Sequence, residues 1–186
     1  MLSKLAAIIL GVVSEGAKAP EDISAVLKKI DSKRLFSVSD SAIFRTLKQM
    51  RKDGLIATPE SKKTVSQKKH QITKKGEEEL HSIIPIFLDN ETLDPFEFDV
   101  AILLLYKLGK QKSINILRGK HAELENQFYD IKKEILKADQ TPVPAATLAI
   151  LKHRLHMIEA KVQTIKELIK EVNTGNISTA NSPFKK

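Results

Sequence analysis

Ser41, Arg45, Lys48 and Lys52 follow one another at steps of four, three and four, the spacing that gathers side chains on one helix face. Ile43, Leu47 and Met50 fall on the opposite face, and Phe44 and Gln49 stand at the edges. Such a face has a definite chemistry open to it. An arginine fork matches the acceptors on a guanine edge, a glutamine amide matches adenine, and lysine and serine groups suit phosphate oxygens or bases. An ordinary amphipathic helix that merely solvates its charges has the same pattern, so the neighbouring sequence must decide. Between Lys28 and Lys75 there are 14 basic and four acidic residues, and Lys62, Lys63, Lys68 and Lys69 cluster just downstream of the helix. Positive charge at that density favours a polyanion, nucleic acid first among them.

The whole chain has 186 residues with 31 Lys plus Arg against 23 Asp plus Glu, a net charge of +8, of which residues 1–82 hold +6. The absence of Cys excludes thiol catalysis, Cys-ligated zinc and a disulfide framework, and makes a cytoplasmic location the expectation. There is no phosphate-cradling glycine loop, nucleophile elbow or HExxH pattern, and carboxylates occur as helix-surface runs. We therefore expect no enzyme, no catalytic residues and no cofactor. His153 and His156, with Glu159 on the same face, have a spacing that could share a metal, but on a long helix they read as surface histidines and no metal site is expected. Lys4 with the run Leu5 to Val13 imitates an export signal, yet Leu2, Leu5, Ile9 and Val12 step as a packed helix does, and the apparent cut would fall before Pro20. Val100 to Tyr106 is far too short to span a bilayer, so no membrane partner is expected.

Around the basic face the chain reads as a small domain over residues 1–84. Leu2 to Glu15 forms a first helix ended by Gly16, and Pro20 opens a second with Glu21 and Asp22 in its first turn and Ile23, Val26, Leu27 and Ile30 inward. Ser39 caps the third helix, Val38 and Ile43 take its staple positions, and Gly54 lies just past its end. The period then changes: Leu55 to Thr58 and Lys69 to Ile72 read as short strands around the polar stretch Pro59 to Lys68, a hairpin with a basic tip. Thr73 can cap a fourth helix, with Leu80, Ile83 and Ile84 inward until Pro85 stops it. Helices, a hairpin wing and a further helix are the order of a winged helix-turn-helix, whose third helix would enter a major groove while the lysines of the wing lie along the backbone.

Residues 94–172 differ in kind. Pro95 to Lys107 reads as a helix apolar on nearly every side, which other elements must cover. Two long helices follow with heptad seams: Ile114, Leu117, His121, Leu124, Phe128, Ile131, Ile135 and Ala138 in one, and Leu148, Leu151, Leu155, Ile158, Val162, Ile165, Ile169 and Val172 in the other. The short Pro-containing link Asp139 to Pro144 forces them antiparallel. A lone helix pair leaves apolar flanks, so a second copy should cover them, making Leu117, Leu124, Phe128, Ile131, Leu151, Leu155, Ile158, Val162 and Ile165 the dimerisation residues. His121, polar within the first seam, is of a type that sets register, senses pH or lies at a wet, frayed end. Phe96, Phe98, Tyr106 and Phe128 could wall an effector pocket, though aromatics in a helical core are the commoner case. Residues 173–186, polar and broken by Gly175 and Pro183, read as a disordered tail. The fold class is thus mainly α: a winged helix-turn-helix domain with a small β-hairpin wing, then a helical dimerisation domain with a long antiparallel helix pair.

Several strings in this order resemble the PadR family of transcription regulators: Ile9-Leu10-Gly11-Val12-Val13-Ser14-Glu15-Gly16, the run Val38 to Met50 leading into Asp53-Gly54-Leu55-Ile56, and Ile72-Thr73-Lys74-Lys75-Gly76. Pro95-Phe96-Glu97-Phe98 ahead of two long helices is similar to the C-terminal dimerisation domain of the family's longer members. The resemblance implies a homodimer that binds palindromic promoter sites on double-stranded DNA, usually as a repressor, and often releases it when a small-molecule effector binds. It places Ser39, Ser41, Arg45, Lys48 and Gln49 on the recognition helix and Lys62, Lys63 and Lys68 on the wing; Phe44 stands where the family has a tyrosine. It departs from the pattern at Ala19-Pro20-Glu21, where the family has His-Gly-Tyr, and at Lys69-His70, where it has a tyrosine pair. The alternative from another class is a winged-helix module that presents the same basic helix to an acidic protein surface without binding DNA.

Overall fold

The first helix, α1 (Lys4–Val13), is buried without a break from Ala6 to Val13, because its sequence is apolar on every side and offers no face to water. Ser3 caps it by accepting from the Ala6 N–H at 3.2 Å. In the computed structural model the described residues are 2–29, 39–59, 68–89, 95–141 and 143–184. They form two compact units, Met1–Leu108 with Thr179–Lys186, and Gly109–Ser178.

In the first unit, α2 (Pro20–Lys29) and α3 (Asp40–Lys52) precede a two-stranded antiparallel sheet of β1 (Ile56–Ala57) and β2 (Gln71–Ile72), with Ile56 opposite Ile72 and Ala57 opposite Gln71. The backbone of Lys18 extends this ladder by pairing with His70, each N–H donating to the other's carbonyl at 3.0 and 2.8 Å. Then come α4 (Lys74–Asp89), α5 (Pro95–Leu104) and a 3-10 turn, Leu105–Leu108. α1 packs against α2, α3, α4 and α5, so it is the centre of the unit's core. This is the expected mainly α winged helix with a small hairpin.

Three expectations need correction. Pro85 does not stop α4, which continues to Asp89. A proline inside a helix costs the hydrogen bond to the residue four before it, but Phe87 and Leu88 beyond the proline are buried, and their burial offsets that loss. The apolar helix at Pro95 belongs with the winged-helix unit and not with the long helices, moving the boundary from the expected 84–94 gap to Leu108 and Gly109. Being apolar all round, α5 has to be covered, and α1 and α4 do so. Residues 173–184 are not a disordered tail: helix continues to Thr174, a 3-10 turn spans Thr179–Asn181, and Ser182 and Phe184 are buried in the first unit.

The second unit is a hairpin of α6 (Lys110–Gln140) and α7 (Ala145–Thr174). They run antiparallel, since Lys110 at the start of α6 donates from Nζ to the carbonyl of Asn173 at the end of α7, at 2.8 Å. Burial is graded along the pair. Ile114, Leu117, Leu124, Val162, Ile165, Leu168 and Val172 are buried. Towards the link, Phe128, Ile131, Leu151, Leu155 and Ile158 are only half-buried, and Tyr129, Leu136 and Ile150 are more than half exposed. Among the described residues no helix is long and apolar enough to cross a membrane.

Candidate nucleic-acid interface

The candidate interface is built on α3, whose two ends are fixed by local chemistry. Ser39 has extended backbone angles (φ −85°, ψ 152°) and its Oγ accepts from the Ala42 N–H at 3.2 Å, while the Asp40 carboxylate accepts from Ser24 Oγ at 2.7 Å and ties the helix start to α2. At the other end Gly54 takes φ +73°, Leu55 N–H donates to Met50 and Gly54 N–H to Arg51. That is a Schellman closure, completed by the buried pair Leu55 and Met50. Val38, Lys62 and Lys63 lie outside the described residues.

Ile43, Leu47 and Met50 are 2–3% exposed and lock the inner face of α3 against the core. Ser39, Ser41, Phe44, Arg45, Lys48, Gln49 and Lys52 are all exposed, as the spacing requires. Ser39 and Ser41 join hydroxyls at 2.9 Å, and Gln49 donates from Nε2 to Asp53 Oδ1 at 2.8 Å, so two polar groups of this face are already oriented. Phe44 is 40% exposed, a large ring held in water on an otherwise charged helix. Arg45, Lys48, Gln49 and Lys52 line one open depression, and Arg51 joins them. Arg51 was not assigned to the face from the sequence. Its signal was its basic type three residues after Lys48, but it sits on the flank next to the buried stripe, where spacing alone does not choose.

The base of the wing stands beside α3. His70 is 9% exposed, and its Nδ1 is 2.8 Å from Thr58 Oγ1 on the other side of the hairpin. Burial, with the Arg51 charge adding to it, holds the His70 imidazole below the usual histidine range, which favours its neutral form. Thr73 donates from Oγ1 to the Gly54 carbonyl at 2.7 Å and accepts from the Gly76 N–H at 3.1 Å, so one side chain joins the turn after α3 to the start of α4. Lys75 donates from Nζ to the Asp53 carbonyl at 2.8 Å and adds a cation at the same end of α3. Lys68 is half-buried and Lys69 exposed at the root of the hairpin. Chemically this is a rigid helix with hydrogen-bonding groups pointing outward and cations along its border. His153, His156 and Glu159 are exposed on α7, and among the described residues no three metal-ligating side chains come together.

No protein-family model matches the chain, and no curated protein matches it. Among solved structures it is similar to Bacillus subtilis PadR in complex with operator DNA, at 19% identity over 91% of this chain and 98% of that chain, with a TM-score of 0.38. It is similar to the same protein in complex with p-coumaric acid, at 18% identity over 92% of this chain and 99% of that one, with a TM-score of 0.39. These are PadR structures. A PadR-like transcriptional regulator from Bacillus cereus is also similar, at 16% identity over 91% and 98% of the two chains, with a TM-score of 0.35.

Proposed function

We propose that this chain is a sequence-specific, DNA-binding transcriptional regulator of the PadR type, a cytoplasmic homodimer that represses from palindromic promoter sites. The observation that carries this is α3 itself: three buried apolar residues fix its inner face, and Ser41, Arg45, Lys48, Gln49 and Lys52 all point to solvent from the outer one. A helix so held can place an arginine fork and a glutamine amide against base edges while lysines and the wing neutralise phosphates. The half-buried apolar residues toward the link of the hairpin supply a surface for a second copy, and two α3 helices would then read half-sites spaced by the dimer.

The test is binding to duplex DNA over a salt series, with competing genomic fragments. Counterion release predicts that six or more phosphate contacts per dimer lower the affinity by about a thousandfold or more between roughly 50 and 200 mM salt. One class of fragment should also be retained over the others. A flat salt response with no preferred fragment would overturn the reading, and retention of an acidic protein in place of DNA would favour the protein-interaction alternative.

A further inference from the structure

Phe44 is the one large apolar side chain that α3 holds in water, at 40% exposure. It is the fifth residue of the helix and follows directly on the buried Ile43. Ser41, Phe44, Arg45 and Lys48 stand at i, i+3, i+4 and i+7, a single ridge whose members are all exposed. Among the described residues the ring is in no ring–ring or cation–ring contact. Other large apolar side chains in water, such as Ile86, Phe96 and Tyr129, lie on other elements. A lone exposed ring is ordinary on a protein surface. A ring in the first half of a basic helix, set between a hydroxyl, a guanidinium and an ammonium, is a narrower case.

Those neighbours decide what can cover it. An apolar protein surface would need further apolar groups beside the ring, and every other exposed residue of α3 is polar or charged. The cations favour a polyanion, so the ring has to find its apolar contact within one. In the major groove of DNA the four bases offer a single apolar group, the C5-methyl of thymine. Uracil lacks that methyl, and the major groove of an RNA helix is too narrow for side chains to read. In a helix-turn-helix it is the N-terminal part of the recognition helix that meets base edges, and Phe44 lies in that part.

We propose that Phe44 is a specificity-determining residue that packs its ring on a thymine methyl in the major groove, so that the chain selects thymine at that base pair. The inference rests on the DNA-binding reading and deepens it. Arg45 and Gln49 match hydrogen-bonding edges, whereas Phe44 supplies a contact that no hydrogen bond makes. A tyrosine would bring a hydroxyl to the same place; the phenyl ring brings carbon alone.

The test takes a duplex retained in the genomic competition and replaces its thymines with deoxyuridine one at a time, which deletes single methyl groups and leaves every base-pairing hydrogen bond. With the unmodified full chain, one thymine of each half-site should matter: removing its methyl should weaken binding about fourfold, the loss of one buried carbon. The other thymines should change little. Phe44→Ala, at an exposed side chain, should bind more weakly and no longer distinguish thymine from deoxyuridine at that position, while Phe44→Leu should keep part of the distinction. Sensitivity that survives in Phe44→Ala belongs to the DNA or to another residue and overturns the proposal. A retained duplex in which no deoxyuridine matters overturns it too, and leaves the regulator reading standing. Retention of no fragment overturns both, so binding of the unmodified duplex tells the two failures apart.

Discussion

The ring of Phe184 lies against Gly11 so closely that a Cβ at that glycine would come within 2.9 Å of Phe184 Cε2, and within 2.5 Å of Leu104 Cδ2. Phe184 is 2% exposed and its ring meets that of Tyr106 at a centroid distance of 6.2 Å. The last described residues of the chain are therefore part of the core of the winged-helix unit, closing over α1 and the turn after α5. Phe184→Ala should cost about 3–5 kcal/mol, the usual loss for a buried phenylalanine. Gly11→Ala should also destabilise, because the side chain it meets is packed on all sides. Urea unfolding followed in the near ultraviolet checks both, and a Phe184→Ala protein as stable as the parent would show that the contact contributes nothing.

A carboxylate sits beside this contact. Burial alone would raise the Glu15 carboxyl, but the Lys107 ammonium and the Tyr106 hydroxyl, which donates to Glu15 Oε1 at 2.9 Å, outweigh it and hold the group below its ordinary value of 4.5, with Ser182 adding a further bond. The sign follows: a carboxyl with a lowered folded pKa binds protons more readily when unfolded, so its stabilisation is complete above about pH 4.5 and is lost as pH falls through the folded value. Glu15→Gln should cost about 1.5–3 kcal/mol at neutral pH and flatten the acid side of the stability profile. Denaturation midpoints measured through the acid range decide it, since an unchanged acid slope in the variant would place the titration elsewhere.

These two sites show what the sequence could carry and what it could not. Helix α3 was legible because several local signals agree: Ser39 as cap, Gly54 at the positive φ that ends it, and Ile43, Leu47 and Met50 in period. The hairpin was legible for the same reason, through two heptad stripes of which only the first is interrupted, at His121. Phe184 was not, because one aromatic among Ser, Asn, Pro and Lys has no period, and its burial depends on Gly11 and Leu104 far away in the chain. The extension of α4 past Pro85 was hidden likewise: tertiary burial of Phe87 and Leu88 overrides a local breaker. In the depression on α3, Arg51 was missed because a flank position on a helix is set by what packs beside it.

On the proposed DNA-binding reading, the α3 face would separate base contacts from phosphate contacts. Arg45, on the outermost line of the helix, should lose about 1–3 kcal/mol of discrimination between preferred and altered sites on conversion to Ala. Lys52→Ala and Arg51→Ala, in the last turn of α3, should instead weaken all sequences alike and lower the salt dependence by about one counterion each. Competition binding with single-base variants of a selected site, repeated at two salt concentrations, resolves the two kinds of loss. If Arg45→Ala weakened every sequence equally, the base-reading role would pass to another residue of the face.

The proposed homodimer would be built on the outward apolar residues of the hairpin. Leu117, Leu124, Val162 and Ile165 are buried within the chain itself, so their replacement reports on folding. Ile131 and Ile158 remain half-buried, with Tyr129 58% exposed and Leu136 57% exposed on the same end of α6. Completing the burial of such side chains contributes up to about 1.5–3 kcal/mol each, enough in sum to hold two copies together. The double variant Ile131→Lys, Ile158→Lys should keep its helical circular dichroism yet sediment as a monomer. Its affinity for a two-half-site operator should fall by about a hundredfold or more, because the second half-site contact is no longer intramolecular. Binding to a single half-site should be nearly unchanged, and that contrast identifies the hairpin as the element that converts one weak contact into a paired one.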